Sequence, residues 1–378
     1  MDNDSQTEKI DTVVIGGGQA GLAVGYHLAR RGQRFVILEA TNRIGTAWRN
    51  RWDGLRLFSP ARYDGLPGML FPAPGHTLPS KDDVADYLEA YAARFDLPIR
   101  TGTTVDRLIG NEIDDAWQVL AGSDRIEASQ VVLATGAYQR PRVPAFAAEL
   151  DPGIRQLHAS EYRNASQLLD GPVLVVGASN SGAEIAMSAS GDHRTVLSGR
   201  DTGKMPVRPE SRMARVFDPP FWFFINHIVR ANSAIGRKVR PSVVDHGGPL
   251  ERIWPEDLAA AGVERVFART VGVRDGLPLL DDGQVVDVTN VIWCTGFRPN
   301  FDWIEPSITG LDGWPVHVRG VVTGAHGLYV VGLPFLYTAA SALLGGVGRD
   351  AGYIAEQVAT RATPAYAGPE RASAAVAG

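Results

Sequence analysis

The 378 residues suffice for two ordinary domains with a large buried core. With 44% hydrophobic and 21% charged residues the chain reads as globular, and a formal charge of −5 gives no electrostatic case for nucleic acid or for a strongly anionic membrane. One cysteine, Cys294, excludes a disulfide framework or a paired redox site, and eight scattered histidines argue against a protein-held metal.

The opening MDNDSQTEKI is acidic and polar, unlike a secretory leader, so a cytoplasmic location is expected. Thr12–Ile15 is a short β-branched run that meets Gly16-Gly17-Gly18-Gln19-Ala20-Gly21. A helical stretch with Leu22, Tyr26 and Leu28 on its apolar side follows, then a buried strand, Phe35–Leu38, ending at Glu39. Val105 to Val132 is strand-rich and runs into Ala134-Thr135-Gly136. The opening pattern then returns: Val173–Val176 meets Gly177-Ala178-Ser179-Asn180-Ser181-Gly182, a helix runs through Ile185–Met187, and a strand lies at Thr195–Leu197.

Arg212 to Arg240 has no place in a minimal βαβ unit. It carries Phe217, Phe221, Trp222, Phe223 and Phe224, then Arg230, Arg237, Lys238 and Arg240. Such a segment suits a membrane-surface helix, a substrate lid, a homodimer contact or a helical insertion packed on its own domain. Its apolar run Phe221–Ile225 is far short of the roughly 20 residues that span a bilayer. Val291–Gly296 matches the earlier run into Gly136, Leu328–Gly332 reads as a further strand, and a helix is predicted over Ser341–Ala362. The tail, 363–378, is rich in Ala, Pro and Gly and is expected to be disordered.

These elements predict an α/β fold of two Rossmann-like dinucleotide-binding domains, the second inserted into the first. The first would comprise 1–150 and 291–362, and the second 166–290, with a helical insertion at about 212–245. Linkers near Pro141–Pro144 and Gly296–Pro299 would act as hinges.

The first glycine turn has the context its motif requires, between strand and helix. Gly16 allows the tight turn, Gly18 lets backbone N–H groups approach a pyrophosphate, and Gly21 lets the helix pack on the sheet. Glu39 lies 18 residues beyond Gly21, where a carboxylate binds ribose hydroxyls and repels a 2′-phosphate, so this site suits FAD or NAD. The second turn has Ser179 at the middle position, where its hydroxyl could donate to phosphate. Arg200 lies at the same 18-residue offset from Gly182, with Ser198 beside it, and a guanidinium there clamps a 2′-phosphate, which suits NADP(H). The alternative for Arg200 is a solvated charge paired with Asp201.

The segments GGGQAGLAVGYHLARRG, GTAWRNRWDGLRLFSP, ATGAYQRPRVP, VVGASNSGAEIA and CTGFRP resemble bacterial single-component (class B) flavin monooxygenases. The resemblance covers about residues 10–360 and is closest to the indole-pyruvate-monooxygenase-like branch. It implies FAD on the first site and NADPH on the second. The FAD contacts are expected to be Gly16, Gly18, Ala20, Gly21, Glu39, Thr46, Trp48, Val105, Thr135 and Gly136. Those on the NADPH side are expected to be Gly177, Ser179, Asn180, Ser181, Gly182, Ser198, Arg200, Thr295 and Gly296. The implied reaction inserts one oxygen atom of O2 into a small organic substrate through a C4a-(hydro)peroxyflavin, the cofactor carrying the chemistry. No catalytic side chain is assigned.

The family's Phe-x-Gly-x-x-x-His-x-x-x-aromatic fingerprint survives only in its second half, as His158 and Tyr162; Pro152 and Ile154 replace its Phe and Gly. His158 is therefore an interdomain linker residue with either a catalytic role or a hydrogen-bonded structural one. Arg349 and Asp350 would lie either near the flavin or in a surface ion pair. A disulfide reductase is excluded by the single cysteine, with Cys294 read as a small core residue. An electron transferase and a non-catalytic NADPH-sensing flavoprotein remain as alternatives.

Overall fold

The β-branched run before the first glycine turn forms the strand Glu8–Ile15, whose last four residues are buried. Continuous burial of that kind marks a strand covered on both faces. It pairs in parallel with Phe35–Leu38 on one side and with Asp124–Leu133 on the other. The structure, a computed structural model, describes residues 7–111, 115–244 and 247–361. The tail at 363–378 lies outside the described residues.

The larger sheet runs Ile304–Glu305, Arg107–Asn111, Ala116–Ala121, Asp124–Leu133, Glu8–Ile15, Phe35–Leu38, Ile99–Arg100. Asp124–Leu133 divides its partners. Its first half pairs antiparallel with Ala116–Ala121, and its second half pairs in parallel with Leu328–Val330. The last helix, Leu344–Arg361, lies against the first, where a ring nitrogen of His27 is 3.1 Å from the Gly348 carbonyl oxygen.

The smaller sheet is wholly parallel, in the order Glu264–Val266, Thr195–Ser198, Val173–Val176, Asn290–Trp293, Arg155–His158. Its strands run in the chain from Arg155 to Trp293. The edge strand Arg155–His158 is too short and polar to show in the sequence pattern, and its register comes from Asn290–Trp293. Two Rossmann-like sheets, one nested within the chain of the other, give the α/β architecture expected from sequence. The two linkers are not independent. Arg140–Pro141 and Phe297–Arg298 lie side by side as a two-stranded antiparallel ribbon.

The inserted segment forms helix Ala214–Phe223, a wider turn at Phe224–Ile228 and helix Ala234–Val244. It does not pack only on its own domain. Trp222 stacks on Tyr63 and Phe58, with ring centroids 5.1 and 6.2 Å away. The Ala231 N–H donates to the Tyr337 carbonyl, and the Ala339 N–H donates to the Val229 carbonyl. The insertion is therefore stitched to segments of the larger-sheet unit, by residues that lie about 110–160 positions away and carry no local signal.

Candidate functional site

Both glycine turns sit between a buried parallel strand and a helix, and their glycines divide the same work. Gly16 has φ +108°, and a Cβ there would lie 2.6 Å from the Ala134 carbonyl oxygen. A Cβ on Gly21 would lie 1.9 Å from the Gly16 oxygen. At Gly18 a Cβ would meet no protein atom within 4 Å, so this position faces open space, as a cradle for a ligand must. The helix Gln19–Ala29 starts with no side-chain cap and no acid in its first turn, leaving donors for an anion.

The Glu39 carboxylate closes this turn. It accepts from the Gly17 N–H at 2.8 Å, the Thr41 N–H at 2.9 Å and the Thr41 hydroxyl at 2.6 Å. Thr41 and Gly17 are partners that sequence reading missed. Trp48 Nε1 donates to Gln19 at 3.3 Å, so the Thr46–Arg49 segment lies against the helix start. The Thr46 hydroxyl donates to the Arg43 carbonyl. Thr135 accepts from Gln139, and Gly136 has φ +71° and open space at its Cβ position. Ala20 is buried, directed at Gly332, and Val105 packs against the core on the sheet's other face.

The second turn repeats the geometry. Gly177 has φ +107°, with a would-be Cβ 2.3 Å from the Cys294 carbonyl oxygen, and a Cβ on Gly182 would be 1.7 Å from the Gly177 oxygen. Cys294 thus occupies here the place of Ala134 in the first unit. Burial pushes its thiol pKa up, so it is a small packing residue with no thiolate character. Thr295 donates to the Arg142 carbonyl, and Gly296 has φ +79° with open space at its Cβ position. Ser181 is half-buried at the helix start.

Three expectations for this side need correction. The Ser179 hydroxyl donates to the Gly248 carbonyl at 3.0 Å and Asn180 is bonded to Pro249 and Glu251, so both side chains anchor a neighbouring strand of backbone rather than project free. Ser198 is fully buried and its hydroxyl bonds to Thr270 at 2.9 Å, which removes it from any phosphate. The register also slips by one. Gly16 N–H donates to the Leu38 carbonyl and Gly177 N–H to the Ser198 carbonyl, both at 2.8 Å. The residue in the Glu39 position is therefore Gly199, not Arg200. The equal offsets in sequence conceal a connection one residue shorter in the second unit.

That slip sharpens the electrostatic contrast. Where the first unit holds a carboxylate, the second has Gly199, with φ +139° and its would-be Cβ 3.1 Å from the Ala178 nitrogen, and then the exposed Arg200. The Arg200 guanidinium has no ion pair among the described residues, and Asp201 instead caps the Gly203 N–H. The two nearby cations are committed: Lys204 pairs with Glu256 and Arg208 with Asp257. Arg265 donates to the carbonyls of Gly199 and Arg200 and so fixes the backbone beneath that side chain.

His158 is structural. It is buried, with Nε2 3.0 Å from the Gly296 carbonyl oxygen and Nδ1 2.8 Å from the Ser160 hydroxyl. Burial lowers its pKa, so it stays neutral, donating to Gly296 and accepting from Ser160. Asp350 is fully buried and Arg349 bonds to it, to Thr338 and to the Asn226 carbonyl, so the pair is an internal tie and not a surface one.

Asp64 is an unpredicted buried carboxyl. Ser59 donates to one of its oxygens, the other has no partner among the described residues, and burial pushes its pKa up to about 7. A folded-state pKa raised above the ordinary carboxylate value means that its contribution to stability is present below about pH 4 and lost as pH rises through 7. Asp64→Asn should therefore gain on the parent by roughly 2–4 kcal/mol between about pH 4 and pH 8. Denaturant melts across that range check this, and parallel curves would refute it.

Two glycine turns, each between a buried parallel strand and a helix, in a chain with a single cysteine fit a nucleotide-dependent oxidoreductase. Residues 13–228 match the family model described as pyridine nucleotide-disulphide oxidoreductase. An uncharacterized CzcO-like oxidoreductase of Geobacillus kaustophilus is 40% identical over 356 residues, covering 92% of this chain and 98% of its own length. The indole-3-pyruvate monooxygenase YUCCA1 of Oryza sativa is 38% identical over 199 residues, 50% of this chain and 48% of its own. The flavin-containing monooxygenase of Stenotrophomonas maltophilia superposes with a TM-score of 0.72 at 26% identity, covering 94% of this chain and 99% of that one. The chain belongs to the pyridine nucleotide-disulphide oxidoreductase family and, within it, to the class B flavin-monooxygenase-like oxidoreductases.

Proposed function

We propose that this protein is an NADPH-dependent flavin monooxygenase, with FAD on the first glycine turn and NADPH on the second. The observation that carries the reading is the ladder comparison: Glu39 held on the Gly17 N–H in one unit, and Gly199 followed by the unpaired Arg200 in the other. The open space at Gly18, Gly136 and Gly296 fits bound dinucleotides on both sides of the interdomain ribbon. FAD held there would supply the redox chemistry, in which NADPH gives two electrons and the substrate two to the reduction of O2. One oxygen atom enters the product and the other leaves as water. The side chains bind and orient: Glu39 holds the ribose, the free helix N-termini hold pyrophosphates, and Arg200 holds the 2′-phosphate.

The purified protein should be yellow with bound FAD, and should consume NADPH and O2 in equal amounts. A substrate from among sulfides, amines, ketones or 2-oxo acids should form product at the expense of released hydrogen peroxide. NADPH consumption without O2 uptake, with rapid reduction of a one-electron acceptor protein, would replace this reading by an electron transferase. FAD binding without turnover would leave the sensor.

A further inference from the structure

The inserted segment carries large apolar side chains on both its buried and its exposed side. Its inner face, Ala214, Asp218, Trp222 and Val229, is buried against the larger-sheet unit. Helical spacing puts Met213, Val216, Phe223, Phe224 and Ile228 together on the outer face, 67%, 77%, 58%, 41% and 42% exposed. A surface helix ordinarily turns a polar face outward. Here the outward face is apolar, and it is bracketed by exposed cations: Arg212 and Arg215 before it, and Arg230, Arg237, Lys238 and Arg240 after it. The only acid between 212 and 240 is the buried Asp218, in a chain whose overall formal charge is −5. Arg212, Arg215 and Lys238 have no ion pair among the described residues.

We propose that this outer face docks on an anionic lipid bilayer. Cations and aromatic side chains at one level are what an interfacial helix needs: the rings enter the headgroup boundary while the charges stay with lipid phosphates. The acidic remainder of the molecule is repelled by the same surface, which orients the insertion toward it. A second copy of the chain fits less well, because a two-fold interface would set this cation cluster opposite its own image. No helix among the described residues is long and apolar enough to cross a membrane, so the contact is peripheral.

Vesicle flotation tests this independently of NADPH or oxygen chemistry. The FAD-loaded protein should float with phosphatidylcholine vesicles containing about 30% phosphatidylglycerol at least about tenfold better than with phosphatidylcholine alone. Raising salt from about 0.1 M to about 0.5 M should release most of it, since screening shortens the reach of the charges. Phe223→Ser with Phe224→Ser, and separately Arg212→Glu with Arg215→Glu, should each cut binding several-fold while circular dichroism stays unchanged. Equal flotation with both vesicle types, or binding insensitive to salt, overturns the proposal without bearing on the cofactor assignment. So does a dimer in sedimentation that the Phe223→Ser, Phe224→Ser variant dissolves with no change in flotation; the face would then be a contact between copies. The salt arm reads on the parent protein alone, so misfolding of a variant does not spare the idea.

Discussion

Gly182→Ala should give a yellow protein that NADPH no longer reduces. The added Cβ would fall 1.7 Å from the Gly177 oxygen and 2.9 Å from its carbon, and both are backbone atoms of the turn itself. No rotamer change relieves that contact, so the second glycine turn must open and its helix N-terminus must move off the pyrophosphate. A loss of two to three hydrogen bonds to a charged group amounts to roughly 3 kcal/mol or more, which is at least about 100-fold in the rate constant for flavin reduction. FAD content should remain near one per chain, because the first turn lies in the other sheet. Gly18→Ala makes the complementary case. Its Cβ meets no protein atom within 4 Å, so the fold is undisturbed and any FAD lost is lost to the ligand's own approach. Flavin content and anaerobic stopped-flow reduction distinguish the two. If Gly182→Ala is reduced at the parental rate, NADPH does not use that turn.

Arg200→Ala should lower the NADPH-over-NADH preference by at least about tenfold, or 1.4 kcal/mol, and leave NADH turnover nearly as it was. The geometry places no other uncommitted cation beside that strand end among the described residues, since Lys204 and Arg208 are held by Glu256 and Asp257 across Trp254. Gly199 removes the carboxylate that would repel a 2′-phosphate, and the Arg265 bonds to two carbonyls keep the turn from drifting. Ser198→Ala, by contrast, should leave the coenzyme ratio unchanged, because its hydroxyl is spent on Thr270. Steady-state kcat/KM for both coenzymes decides the matter; an unchanged ratio in Arg200→Ala would end the 2′-phosphate assignment.

What sequence could show was what is local. Each glycine turn is spelled by a β-branched run, three small residues and a helix start within about 15 positions, and all of these formed. The nested order of the two sheets followed from seeing that pattern twice. What failed depended on distant partners or on length. The helix after the second turn is 10 residues against 11 in the first, and that one residue moved Gly199 into the place assigned to Arg200. Ser198 looked like a phosphate ligand because Thr270, its partner, is 72 positions away. The setting of Trp222 stayed open among four readings because its partners, Tyr63 and Phe58, lie about 160 positions away.

The ribbon formed by Arg140–Pro141 and Phe297–Arg298 fixes how the two halves can move. Two separate tethers would let one body slide, tilt and twist over the other. Tethers bonded to each other act as a single pin. Gln139 tightens it, bonding to Thr135 and Gly136 beside the first turn and accepting from the Asn300 N–H just past Phe297–Arg298. Sliding would break these bonds, whereas swinging about the ribbon's long axis leaves them intact. Any swing about that pin must also part the ties between the insertion and the larger-sheet unit, Trp222 on Tyr63 and the Ala231–Tyr337 and Ala339–Val229 hydrogen bonds, so the spacing of the two nucleotide cradles is coupled to the insertion.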